Sequence, residues 1–393
     1  MSVKVNMSSS LIQQLDASLE KSQAAEALSQ LCQEFETQRD YHQLFDAELL
    51  KKKWELGLPL GKPTSFHDVP EKNRKEFEET YIAQARRIGQ MFLQDQRFQD
   101  AWMYYRILGE KDPIYQALEA LPVPENSDGE TDSLVHLALY QKVHPVKGLK
   151  IMLGTSGMCN TITASDQIFV DLTLTERQQV TQVLADAMYD ELVLVLTREV
   201  RKKVPLLPPG PMSLRQLILG REWLFEDNNY HVDVSHLNAV VRFARCLPSN
   251  SPTLDKVIEL AEYGSHLGST LQYPGEPPFE DFYTAHLAYF DVVNADDPTQ
   301  ALKYFQDKLA QEPDATDQQL ISFVLVDLYV RRKMIDAAAE IAAKHLTNLP
   351  VDAGFSFREF CLEHQQYGQL SQLAKDANDP LLYLTAALEK QRH

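Results

Sequence analysis

The stretch IAQARRIGQMFLQDQRFQDAWMYYRILGEKDP, from Ile82 to Pro113, decides the fold. Ile88, Gly89 and Phe92 fall on one side of a first helix, and Ala101, Tyr105 and Leu108 on one side of a second. Pro113 stops the second helix, because proline lacks the N–H that a helix interior needs. The polar link Gln94–Arg97 turns the chain back, and Phe98 returns it to the apolar seam. Small residues at Gly89 and Ala101 let two helix backbones approach closely, and the bulky Phe92 and Tyr105 fill the space beside that contact. The spacing predicts one helix–turn–helix unit.

This order of residues resembles the tetratricopeptide repeat, a helical hairpin recurring at a period of about 34 residues. The slots of Ala101, Tyr105 and Pro113 reappear at Ala301, Phe305 and Pro313, and again through Leu325, Tyr329, Ala338 and Pro350. The expected fold class is therefore all-α, an α-α superhelix of such hairpins, with one small β-hairpin in the middle. The resemblance implies a concave face built from the first helix of each repeat. On it, basic and amide residues of some family members clamp a peptide's terminal carboxylate. The matching slots here hold Arg86 and Gln90, then His286 and Phe290, then Phe323 and Asp327. The later slots depart from a clamp, and Asp327 would repel a carboxylate. A neutral or basic segment with apolar anchors is the expected occupant.

Outward from the anchor, residues 1–122 read as an N-terminal helical domain, with short helices between Ser9 and Glu55 and a Pro- and Gly-rich loop over Gly57–Pro70. Residues 123–133 read as an acidic linker. A middle section, 134–276, carries the expected hairpin. Its strands are Gly148–Leu153 and Met158–Thr163, around a turn at Gly154–Gly157. A long helix then runs from about Thr175 to Val204, with Thr175 and Gln178 as a capping box. Residues 277–393 return to the repeat style and close with a worn final repeat and cap.

Composition bounds the function. The chain has 393 residues, of which 44% are hydrophobic, so a packed core is expected and global disorder is not. A formal charge of −18 disfavours a nucleic-acid partner, which needs a basic face. The basic runs Lys51–Lys53 and Arg201–Lys203 suit helix C-termini, where cations offset the macrodipole. Cys32, Cys159, Cys246 and Cys361 are far apart, so neither a disulfide framework nor a cysteine metal site is suggested. No apolar run approaches a membrane span of roughly 20 residues, and Met1–Ser10 lacks the order of a signal peptide. The expected location is the cytoplasm.

Candidate chemistry is sparse. His231, Asp233 and His236 form the one ligand-like cluster: imidazoles and a carboxylate are usual ligands for zinc and similar divalent metals. The competing reading makes Asp233 or Ser235 the cap of a helix starting near Ser235. Gly57–Lys62 has the wrong spacing for a phosphate loop, and Pro63 blocks the helix that such a loop requires. Gly154–Gly157 is one residue short of a nucleophile elbow. Cys159, with His144 or His136 as base, completes the candidates. The expected function is a scaffold that binds a protein or peptide partner, with no cofactor and no enzyme activity. The alternatives are a metal protein or enzyme using His231, Asp233 and His236, and a structural spacer subunit of a larger assembly.

Overall fold

The computed structural model describes residues 2–21, 23–124, 126–204, 208, 210–347, 349 and 354–392. The fold is all-α: 75% of the chain is helical, and no strand occurs among the described residues. The chain forms two compact units, Met1–Thr161 and Ile162–His393.

The first unit begins with α1 (Ser2–Glu20), α2 (Ala24–Thr37) and α3 (Tyr41–Glu55), followed by the anchor hairpin, α4 (Glu71–Gln94) and α5 (Phe98–Leu108). Each of these helices packs on its neighbour in sequence. Arg97 N–H closes the hairpin turn by donating to the Phe92 carbonyl at 2.9 Å. Gly109, at φ 70°, ends α5 in the left-handed conformation that glycine adopts without steric cost. Gly89 lies under the Tyr105 ring so closely that a Cβ there would sit 2.7 Å from Cε2. Ala101 and Phe92 are fully buried in the same seam. Ala101→Leu is therefore expected to overpack the hairpin and cost about 2 kcal/mol, read as a lower unfolding midpoint. An unchanged midpoint would mean the helices do not meet at Ala101.

The Gly57–Pro70 loop is held by Lys53, whose side chain is fully buried on α3. Its Nζ donates to Asp68 Oδ1 at 2.6 Å and to the Lys62 carbonyl at 2.7 Å. A buried ammonium needs such partners to offset its lost hydration. Pro113 does not stop α5, which Gly109 ends; it sits in the first turn of α6 (Asp112–Ala120), where its missing N–H costs little, and α7 (Gly129–Val135) follows, capped by the Asp128 carboxylate, which accepts from Thr131 N–H. A π-helical turn, His136–Tyr140, extends α7.

The expected β-hairpin at 148–163 is not there. Those residues lie within α8 (Pro145–Ile168), which bends at Gly157, where φ is 76° and ψ 177°. Gly148, read as the start of the first strand, and Gly157, read as the end of the turn, serve other ends. A Cβ at Gly148 would meet the Leu139 backbone nitrogen at 2.9 Å, so the residue permits a close helix approach, and Gly157 takes the kink. Thr155, placed in the expected turn, and Thr161, placed in the expected second strand, donate to carbonyls four residues back, at Ile151 and Gly157. Such bonds satisfy a hydroxyl on a helix and help to bend it.

The second unit begins with α9 (Leu174–Lys203), whose buried stripe includes Val180, Leu184, Met188, Leu192 and Leu196. Its capping box is Thr173 with Glu176, two residues earlier than Thr175 with Gln178. Both pairs match the pattern, and the box used places an anionic carboxylate at the positive end of the helix. Then follow α10 (Leu214–Ile218), α11 (Val234–Phe243), α12 (Pro252–Ser265), α13 (Phe282–Asn294), α14 (Thr299–Gln311), α15 (Ala315–Arg331), α16 (Ile335–His345), α17 (Phe357–Glu363), α18 (Tyr367–Asp376) and α19 (Pro380–Arg392). From α12 onward, consecutive helices pack mainly on one another, while α9 lies against α10, α11 and α12. Ala301, Phe305, Leu325, Tyr329 and Ala338 are all buried. Pro350 lies outside the described residues. A glycine–aromatic contact like that of the anchor hairpin recurs between α12 and α13, where Gly264 faces the ring of Tyr283.

Candidate functional site: an aromatic groove with an unpaired arginine

The described residues of the second unit enclose an open groove of about 460 Å³. Phe282 and His286 enter it from α13, and Leu320, Phe323 and Val324 from α15. Arg242 at the end of α11, Arg245 in the 3-10 turn after it, and Phe279 with Gly275–Pro277 in the loop before α13 complete the lining. Positions 320, 323 and 324 fall on one face of α15 because helical spacing brings i, i+3 and i+4 together.

Phe279 is buried and organises the polar groups. The Arg245 guanidinium carbon lies 4.7 Å from its ring centroid, a cation–π distance. The His286 ring centroid lies 4.3 Å from the same ring. Arg245 is half-buried, and no carboxylate among the described residues pairs with it. Its Nε donates to the Arg242 carbonyl at 3.3 Å. Burial holds its pKa below the usual arginine value. Arg242, in contrast, is paired with Asp166 at 2.6 Å. Glu276 stands exposed at the rim.

His286 is 1% exposed. Its Nδ1 lies 2.7 Å from the Phe282 carbonyl, an acceptor, so Nδ1 carries the proton. Burial, with the Arg245 charge adding to it, pushes the imidazole down from 6.5 to about 3. The ring is therefore neutral at pH 7, and Nε2 is an acceptor. That atom is buried without a hydrogen-bond partner.

The other residues singled out from the sequence divide. Phe323 is 39% exposed on the groove wall, with its ring edge-on to Phe355 at 5.5 Å. Phe290, expected beside it on an open face, is 1% exposed and belongs to the core: its ring packs against Tyr289 on the same helix. Asp327 does not present a free charge. It accepts from Tyr289 Oη at 2.5 Å and from Arg331 Nε at 2.9 Å. Arg331 in turn donates to the Leu247 and Arg245 carbonyls, and burial, with Asp327 beside it, pushes the Tyr289 phenol well up. The repulsion expected of Asp327 toward a carboxylate is thereby cancelled. In the first unit, Arg86 pairs with Glu110 through Nε at 2.8 Å and Nη2 at 2.6 Å. Gln90 Oε1 accepts from Tyr105 Oη at 3.4 Å.

His231, Asp233 and His236 do not assemble a metal site, and no group of three such residues among the described ones does. Asp233 spends its carboxylate on the α11 N-terminus, accepting from Ser235 N–H at 2.8 Å and His236 N–H at 3.2 Å. The Ser235 hydroxyl bond is the main reason its pKa is depressed. His231 turns to Tyr263, whose Oη lies 3.1 Å from Nδ1. His144, offered as a base for Cys159, has both ring nitrogens engaged. Nε2 lies 2.7 Å from Glu119, and Nδ1 accepts from Lys147 N–H at 3.3 Å.

Arg245, Phe279 and Phe282 were not singled out from the sequence. Phe282 and His286, four apart on a helix, were visible as a pair. No sequence signal reports that Arg245 lacks a carboxylate, since that depends on what the fold brings beside it. No helix among the described residues is long and apolar enough to cross a membrane. Compared with protein-family models, curated proteins and solved structures, the chain gives no match.

Proposed function

We propose that this chain is a protein-interaction scaffold of the helical-repeat type, acting in the cytoplasm and holding a peptide segment or helix of its partner. The observation that carries the reading is the groove of the second unit. It combines an apolar aromatic wall, a half-exposed Phe323 and an unpaired guanidinium, the features of an interface hot spot. Neighbour-on-neighbour helix packing supports it, because stacked hairpins leave a continuous side surface for a ligand. The cytoplasmic reading rests on the four scattered cysteines and the acidic composition.

The test uses the full chain as bait, with Phe323→Ser beside it. Phe323 is half outside the core, so its replacement should leave the helical content intact while removing the groove's exposed anchor. A partner retained by the parent is expected to fall at least about tenfold in recovery on Phe323→Ser, as for loss of an aromatic anchor. Equal recovery on both, or nothing retained above an empty matrix, would overturn the reading.

A further inference from the structure

The groove poses two unmet demands. Arg245 makes no ion pair in a half-buried position: the charges of Asp327 and Glu276 favour its cation without contacting it, and burial still holds its pKa down. His286 Nε2, in a side chain 1% exposed, holds a lone pair with no donor. Buried polar atoms without partners are uncommon, and each calls for an explanation. Both groups pack on one buried ring, Phe279, and of the two Arg245 is the more exposed to the groove. Phe323, Leu320 and Val324 face them from α15 and supply apolar surface.

These demands exclude partners as well as select them. A basic segment would place like charge beside Arg245. A wholly apolar one would leave Arg245 buried without an ion pair, at a cost in affinity. A peptide can carry a carboxylate beside an apolar side chain. Asp327, three residues beyond Val324 on α15, is paired with Arg331 and accepts from Tyr289. Glu276, the acid at the rim, is exposed and makes no ion pair with Arg245.

We infer that the groove receives an acidic segment of a partner protein, with an Asp or Glu carboxylate on Arg245 and an apolar side chain against Phe323. The inference rests on the scaffold reading and gives its ligand a charge. It reverses the expectation, drawn from the net charge of −18 and from Asp327, of a neutral or basic segment.

A display library of random nonapeptides, selected on the immobilised full chain, is the probe. Expected is enrichment of Asp or Glu next to a large apolar residue. In a synthetic peptide of the selected sequence, replacing the acid by its amide should weaken binding about tenfold, the scale of one charge-assisted hydrogen bond. Arg245→Met should abolish that acid-over-amide preference. Arg245→Gln is the second variant. The backbone carbonyl of residue 245, which accepts from Arg331, remains in both variants. Circular dichroism confirms that they fold. Selected peptides that lack acids, or that prefer the acid equally on both variants, would overturn this inference while leaving the scaffold reading standing. If nothing is selected, this inference fails, and partner recovery on Phe323→Ser then decides the scaffold reading separately.

Discussion

Gly264→Ala is expected to destabilise the second unit by about 3 kcal/mol, at the upper end for overpacking. A Cβ at this position would lie 2.1 Å from Cε1 and 2.3 Å from Cζ of Tyr283. No real contact is that short, so something must move. The Tyr283 ring cannot move cheaply. It is fully buried, and its hydroxyl donates to Asn238 Oδ1 at 2.6 Å, which ties α13 to α11. The gain in helix propensity from glycine to alanine, roughly 1 kcal/mol, works against the clash and is smaller. For a unit of this size the net loss should lower the unfolding midpoint by about 6–12 °C in calorimetry. Tyr283→Leu removes the opposing ring atoms, so the double variant should recover part of the loss, a coupling of at least about 1 kcal/mol in a double-mutant cycle. A midpoint for Gly264→Ala equal to that of the parent would show that α12 and α13 do not meet at this glycine.

Acidification is expected to weaken the second unit through His286. The unfolded chain binds a proton here near pH 6.5, and the folded chain refuses it until about pH 3. Between those values the unfolded state holds more protons, so stability is full above pH 6.5 and falls as the pH drops toward 3. At about 1.36 kcal/mol per pH unit, the loss from pH 7 to pH 4 is on the order of 3 kcal/mol. Burial is the first cause. The Arg245 and Arg242 charges add to it, and the Phe282 carbonyl opposes it. His286→Phe keeps a ring among Phe279, Phe282 and Phe290 and has no proton to bind. Its denaturant midpoint should depend less steeply on pH than the parent's over this range, the difference isolating His286 from all carboxylates. Identical slopes for parent and variant would show that His286 is not held neutral in the folded state.

The sequence by itself determined the helical class and the anchor hairpin. Gly89, Phe92, Ala101 and Tyr105 lie at helical spacing, and each is buried where that spacing puts it. Local patterns decide such features, because periodicity and turn residues act within a few positions. Residues 148–163 show the limit of that rule. Glycine, threonine and apolar residues there suit a hairpin as well as a kinked helix, and the close approach of Gly148 to Leu139 belongs to the helix alone. Capping is similar: two boxes, at Thr173 and Thr175, competed within five residues of sequence.

The groove belongs to the tertiary structure. Phe290 and Phe323 look alike in sequence, yet one is core and the other half-open, because α13 is covered where α15 is not. Asp327 is paired with Arg331 one turn along α15, a spacing visible in the sequence, and accepts from Tyr289 across on α13, which only the fold brings there. Arg245 is left without an ion pair because Asp327 and Glu276 act on its charge without contacting it, and His286 becomes an acceptor because Phe282 takes its only proton. Charge and lone pairs act over a few ångströms in space, whatever their separation along the chain, so only the fold could decide which of them remained unanswered.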